Sequence, residues 1–173
     1  MNTSNVPWTD LVNFPRLLRQ SGRHHRAAGS SLRNLRLYAT WKPGPASRNP
    51  GPFMVSFTQF TPKRVADVLD IWRAGDRLGD QLAKIGGAVG VMGYLQPGRR
   101  HVGSLSVWTE EQGLAMFMGL PYHVEIMRKY RPRGLPLRSA KWWSDEFQVG
   151  LAMAEGQRLL DEHPERRVTV ATR

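Results

Sequence analysis

The chain has 173 residues, 40% of them hydrophobic and 23% charged, which fits one globular domain with its own core. It has no cysteine, so disulfides, thiolate metal sites and cysteine nucleophiles are excluded. No apolar run approaches the roughly 18 residues that cross a bilayer. The net charge of +11 is concentrated before Asn49, where eight Lys or Arg residues accompany the single acidic residue Asp10.

Residues 1–52 form one compositional unit, which we interpret as a basic extension followed by a linker. Leu35–Trp41 is a candidate strand, and Lys42–Pro52 is rich in proline and glycine. We predict that this extension is dispensable for folding. We also predict a cytoplasmic protein, and an organelle transit peptide stays open as an alternative because the opening is rich in arginine and poor in acids.

Residues 53–163 are predicted to form the domain, with 164–173 as a C-terminal tail. The four predicted strands are Phe53–Phe60, Ala88–Gln96, Val102–Trp108 and Leu137–Trp143. Helices are predicted from Thr61-Pro62 to Gly86-Gly87, over residues 110–130, and from Ser144 to residue 162. The order β-α-β-β-α-β predicts an α+β, ferredoxin-like fold with helices on one face of a four-stranded antiparallel sheet.

The second predicted helix carries a histidine on its apolar face. Thr109 is placed at its N-cap, and Pro121 either breaks the helix or restarts it. His123 shares a face with Ile126, Met127 and Tyr130, at helical spacing. Such a histidine is either a hydrogen-bonded core residue or a group that acts on a ligand.

Both faces of the predicted sheet are apolar. The two alternating sets of positions in Phe53–Phe60 and in Ala88–Gln96 are mostly hydrophobic. Because the helices cover only one face, the other needs a second cover. We therefore predict a homodimer that pairs sheet to sheet.

Three sequence features resemble those of dimeric α/β-barrel proteins. They are the phrase LSVWTEE at residues 105–111, the helical His123, and KWW at Lys141–Trp143. The resemblance covers about Phe53–Glu162, and is greatest to antibiotic-biosynthesis-monooxygenase-like proteins and to a branch with LSVW, a helical His and a WW-ended strand. It implies a dimeric α/β barrel. Members of this superfamily include cofactor-free oxygenases, haem-handling proteins, isomerases and non-catalytic modules, so the fold leaves the chemistry open.

The space between sheet and helices is the expected ligand pocket. The first helix continues its apolar stripe into Asp76, beside Gly75 and Gly79, unless that face turns to solvent there. A pair formed by Asp76 and His123 would suit proton abstraction, so we predict both as catalytic residues. The predicted substrate-binding residues are Trp72, Tyr94, Trp108, Tyr130, Arg138 and Trp142. Core packing is the alternative for the aromatic side chains, and solvation for Arg138.

Other ligands have less support. His24-His25 lacks partners at metal-ligand spacing, so no metal site is predicted. Val102–Trp108 lacks the aromatic platform of the RNA-recognition fold, which argues against nucleic acid, although phosphate contact through the N-terminal arginines stays open.

The sequence therefore predicts a domain that binds, and converts, a small hydrophobic or aromatic molecule. The expected activity is monooxygenase-like or isomerase-like without an organic cofactor. A haem bound by one helical histidine stays open. A non-catalytic dimeric ligand-binding or interaction module is the alternative, and a nucleic-acid-associated protein that uses its basic N-terminus is a weaker one.

Overall fold

The structure, a computed structural model, describes residues 35–164 and the backbone of residues 167–170. The strands are β1 (Leu37–Tyr38), β2 (Lys42–Pro43), β3 (Phe53–Phe60), β4 (Ala88–Gln96), β5 (His101–Trp108), β6 (Arg138–Ser144) and β7 (Arg167–Val170). The helices are α1 (Val65–Gly79), α2 (Glu111–Gly119), α3 (Pro121–Tyr130) and α4 (Val149–Glu162). Within these ranges, no helix has both the length and the hydropathy that a membrane crossing requires.

The central strands confirm the predicted fold. They are antiparallel in the order β4-β5-β3-β6, which is the ferredoxin-like arrangement. The sheet is wider than predicted, because β1 and β2 both pair antiparallel with β4, and β7 pairs parallel with β6. Each edge of the predicted sheet is thus extended by a segment that the sequence placed outside the domain, in the N-terminal extension or in the C-terminal tail.

The described part of the predicted extension, residues 35–52, packs on the sheet. The ring of Trp41 lies so close to Gly90 that a Cβ there would be 2.2 Å from it. Ala46 is buried, and the backbone N–H of Gly44 donates to the carbonyl of Val89 at 2.9 Å. Residues 1–34 lie outside the described residues. The predicted boundary after residue 52 therefore does not separate two structural units in the described chain.

Helix starts differ from their predicted positions because the capping side chains bond elsewhere. The hydroxyl of Thr109 donates to the carbonyl of Gly87 at 3.3 Å, and that of Ser144 donates within its own loop. Helix α1 begins at Val65, since Thr61-Pro62 is held by backbone pairing with the loop after α3. The predicted helix over residues 110–130 breaks before Pro121, which opens α3 at a position where proline is favoured.

The two faces of the sheet have different covers. Helices α1, α2 and α3 pack on one face, which we call the cavity face. Helix α4 packs on the other, which we call the α4 face, over a buried cluster that includes Val55, Phe57 and Leu105. The contact is close, because a Cβ at Gly156 of α4 would be 2.4 Å from Cγ of Phe57.

The α4 face is the surface on which the predicted homodimer depended. Phe57 and Leu105 are fully buried there within one chain, and the ring of Tyr94 stacks on Phe57 at 5.1 Å. Within one chain, α4 therefore covers the surface that a second copy was predicted to cover. The prediction that both faces are buried is confirmed, and the second cover is the predicted C-terminal helix. The homodimer itself stays a prediction.

A series of hydrogen bonds between polar side chains links the α4 face of the sheet to the end of α4. Arg138 donates to the carbonyl of Leu160 and, at 2.9 Å, to the amide oxygen of Gln59. Because arginine only donates, Gln59 turns its amide nitrogen toward Nδ1 of His101, 3.0 Å away. Nδ1 of His101 therefore accepts a hydrogen bond from Gln59, and protonation of this nitrogen would break that hydrogen bond.

This arrangement predicts a loss of stability in mild acid. Burial lowers the pKa of His101, and the positive charges of Arg99, Arg138 and Arg36 lower it further. Below the ordinary histidine pKa of 6.5, His101 is protonated in the unfolded chain before it is protonated in the folded chain. The free energy of unfolding therefore decreases as the pH falls.

The measurement is the melting temperature at about pH 7.5 and about pH 5.5. His101→Asn keeps an acceptor near the position of Nδ1 but does not titrate, so it should show a smaller acid-dependent drop than the wild type. The exposed His163, replaced in the same way, is the control and should retain the full drop. An unchanged drop in His101→Asn would contradict the prediction.

Candidate ligand-binding site

A cavity of about 150 Å³ lies between the cavity face, α1, α3 and the β1–β2 segment. Its wall is mostly apolar, and the main apolar side chains are Phe60, Ile71, Trp72, Val102, Ile126 and Tyr130. Apolar cavities of this size bind molecules such as benzene. The space therefore suits a compact, ring-sized ligand.

Glycine residues leave part of this space open. Gly75 lines the cavity, and a Cβ built there would meet no heavy atom within 4 Å. Gly93 lies on the sheet side, where a Cβ would be 3.7 Å from both Ala39 and Trp72. Gly79 differs, since it packs against the side chain of Lys42. A larger side chain at Gly75 would enter or cover the cavity.

His123 lines the cavity from α3. Its Nδ1 is 2.9 Å from the carbonyl oxygen of Met118, in the last turn of α2. A carbonyl only accepts, so Nδ1 carries the hydrogen and Nε2 of the neutral ring keeps its lone pair. The ring also lies against Phe117, with centroids 5.5 Å apart. These contacts fix the tautomer of His123 and leave Nε2 to accept a proton.

Asp76 lines the same cavity but is paired with Lys42 of β2. Its carboxylate is 2.8 Å from Nζ of Lys42, which also lies 2.6 Å from Asp80. Burial alone lowers the pKa of Lys42, but hydrogen bonds and charges from the two aspartates outweigh burial and raise it. In the described structure, Asp76 and His123 each have another partner, and the expected carboxylate–imidazole pair is not formed.

Two hydroxyl groups lie on the sheet side of the cavity. Thr58 of β3 and Ser104 of β5 are register partners, and their hydroxyl oxygens are 2.9 Å apart. The backbone N–H of Ser104 also donates to the hydroxyl oxygen of Thr58 at 3.2 Å. This hydroxyl pair is a polar spot in a mostly apolar wall.

The predicted substrate-binding residues divide between cavity and core. Trp72 and Tyr130 line the cavity. Trp108 is fully buried against α2, and Trp142 packs in the core beneath α4. Tyr94 donates to the carbonyl of Thr58, and burial raises the pKa of Tyr94, so its hydroxyl stays protonated. Trp108, Trp142 and Tyr94 therefore pack in the core, which was the alternative for these aromatic residues.

Arg138 lies on the opposite face of the sheet from the cavity. It was predicted to bind the substrate, but its guanidinium donates hydrogen bonds to the end of α4 and to Gln59. A cation beside the last carbonyls of a helix is favourable, which explains an arginine at this position. Its contacts hold the domain together, and it is not among the residues that line the cavity.

Sequence reasoning missed Lys42 and the Thr58–Ser104 pair. Lys42 lies in a proline- and glycine-rich stretch, whose composition hides the pairing of β2 with β4. The hydroxyl pair depends on the register between β3 and β5, which local patterns do not give. A signal was present, since Thr58 and Ser104 are among the few polar positions in two mostly apolar strands. No three His, Asp or Glu side chains within residues 35–164 are grouped as metal ligands.

The fold and site define a ferredoxin-like α+β domain with an apolar cavity between sheet and helices. No protein family matches the chain, and no curated protein matches it. Similar solved structures include a protein of Lactobacillus acidophilus NCFM whose name proposes a monooxygenase, with 12% identity and a TM-score of 0.45. That match covers 51% of this chain and 42% of the other.

A protein of Bacteroides thetaiotaomicron, whose name proposes an antibiotic biosynthesis monooxygenase, is 13% identical with a TM-score of 0.42. The match covers 57% of this chain and 90% of that protein. This chain spans about two fifths of the two structures with the higher TM-score of 0.45. At such TM-scores these similarities carry no argument, so the assignment of the fold rests on the strand order.

Proposed function

We propose that the domain binds a small, mostly apolar molecule with an aromatic or other planar ring in this cavity. The observation that carries the proposal is an apolar, ring-sized space whose wall includes a histidine in a fixed tautomer. Trp72 and Tyr130 offer flat surfaces, and such surfaces favour planar ligands. The resemblance to monooxygenase-like proteins is consistent with a ligand of this type.

We further propose that His123 takes a proton from the bound molecule. Its Nε2 is the acceptor, and suitable donors are an acidic phenol or a carbon beside a carbonyl. The resulting phenolate or enolate can regain the proton at another atom, which is an isomerase-like reaction. It can also react with dioxygen, which is the oxidant in a monooxygenase-like reaction: one oxygen atom bonds to the carbon, and the other leaves as water with the two hydrogens that the molecule loses. The proposal needs no organic cofactor.

Non-catalytic binding is the second candidate, and one observation favours it. Asp76 binds Lys42, so His123 lacks the carboxylate partner expected of a catalytic pair. The two functions differ in the fate of the ligand. An enzyme returns a changed molecule after incubation in air, and a binding module returns the same one, which chromatography of the extracted ligand distinguishes.

Gly75→Leu should abolish ligand binding while the fold is kept. The new side chain would occupy open space at the cavity, and leucine is a better helix former than glycine by up to about 1 kcal/mol. We therefore expect at least a tenfold loss of affinity for small phenols and aryl ketones, with a melting temperature no lower than that of the wild type. Binding is measured by calorimetric titration or by the thermal shift on ligand addition.

Gly150→Leu is the matched control. Gly150 lies in α4, and a Cβ there also meets no heavy atom within 4 Å, but Gly150 does not line the cavity. This variant should bind as the wild type does. Equal binding by Gly75→Leu and Gly150→Leu would place the ligand elsewhere and contradict the proposal.

A further inference from the structure

We propose that Thr58 and Ser104 form a subsite for an oxygen acceptor of the ligand. This inference rests on the proposed function and narrows it to planar molecules that carry a carbonyl, carboxylate or phenolate oxygen. The two residues are opposite each other in the central strands, and both line the cavity.

The hydroxyl pair carries one hydrogen more than its own contacts use. The two hydroxyl groups bring two hydrogens, and their mutual bond at 2.9 Å uses one of them, whichever group donates. Among the described residues, the only further hydrogen bond of the pair comes from the backbone N–H of Ser104, which adds a donor and no acceptor. Within the described structure one hydroxyl hydrogen is therefore always left over. In a mostly apolar cavity, such a donor favours a ligand with an acceptor in that place.

The same donor suits the proposed chemistry. When a proton leaves a carbon beside a carbonyl, negative charge moves onto the carbonyl oxygen. A hydroxyl hydrogen that bonds this oxygen stabilises the charge more than it stabilises the neutral ketone, because hydrogen bonds to charged acceptors are stronger. The pair would thus orient the ligand and assist proton removal by His123.

The test compares two probes of nearly equal shape, acetophenone and ethylbenzene, which differ in the carbonyl oxygen. The wild type should bind acetophenone more tightly, by about fivefold to tenfold. Ser104→Ala alone and Thr58→Val alone each leave one hydroxyl with a hydrogen to donate, so each should keep most of this preference. The double variant should lose it, while its affinity for ethylbenzene stays within about twofold.

Ser139→Ala is the matched control, since Ser139 pairs with Thr58 on the other side in β6 and does not line the cavity. It should keep the preference for acetophenone. Equal affinity of the wild type for both probes, or a double variant that keeps the preference, would overturn the subsite but not the cavity. Failure of the wild type to bind either probe would overturn the proposed function and the subsite with it.

The carbonyl stretching frequency of bound acetophenone gives a second readout that does not depend on a folded double variant. A hydrogen bond lowers this frequency relative to an apolar solvent, and we expect the lower frequency in the wild-type complex and in Ser139→Ala. A bound carbonyl with its apolar-solvent frequency in the wild type would overturn the subsite directly.

Discussion

A chain that begins at Phe53 is expected to be less stable than one that begins at Leu35 by at least about 3 kcal/mol. The second chain retains β1 and β2, which pair with β4, and Trp41, which packs on Gly90 and lies 5.3 Å from the ring of Phe147. Without them, β4 becomes an open edge and part of the core is uncovered.

Comparison of these two truncated chains isolates residues 35–52. Urea unfolding of both chains under the same conditions gives the difference in free energy, and light scattering detects self-association of the shorter one. The ligand cavity should also be lost from the shorter chain, because Ala39, Thr40 and Lys42 form one of its walls. Equal stability of the two chains would restore the sequence-based prediction that the whole extension is dispensable.

Replacement of Gly156 by leucine is expected to reduce stability by about 3 kcal/mol or more. A Cβ at this position would be 2.4 Å from Cγ of Phe57, a fully buried residue in the middle of β3. The added side chain must therefore push α4 away from the sheet. The apolar residues beneath α4 would then be exposed, and we expect the variant to self-associate at micromolar concentration.

The control for this variant is again Gly150→Leu, which adds the same side chain to the same helix in open space. Thermal unfolding and sedimentation of the two variants beside the wild type provide the comparison. The control should remain at least as stable as the wild type and in the same oligomeric state. Similar stability of both variants would show that α4 does not cover this face, and the sheet-to-sheet homodimer would regain its support.

The order of the central elements was predictable because each one has a local signal. Strands β3, β4 and β5 are short runs rich in β-branched and aromatic residues, whereas the helices have apolar residues at helical spacing. Gly86-Gly87 marks the end of the first helical region, just after the helical turn at Leu82–Lys84. The flanking pieces were predicted less completely. Leu37–Tyr38 lies within the candidate strand Leu35–Trp41, but Lys42–Pro43 was placed in a linker, and both pair with β4 more than forty positions away. Tertiary pairing of this kind cannot be read from composition.

The candidate site was predictable where helical spacing decides which side chains share a face. Trp72 and Asp76 of α1 and His123 and Tyr130 of α3 line one cavity, as their spacing predicts. The strand aromatics were less predictable, because an apolar sheet gives no sign of which face holds the ligand. The roles of His123 and Asp76 stay predictions, and the ion pair of Asp76 with Lys42 involves a residue that the sequence placed in a linker.

The location of a bound ligand tests the central claim most directly. Nuclear Overhauser effects are measured between acetophenone and the methyl groups of the protein in a saturated complex. We expect contacts to Val102, Ile126 and Met127, which line the cavity. Contacts instead to the exposed Met116, Met118 and Val124 on the outer side of α2 and α3, with none to the cavity residues, would contradict it.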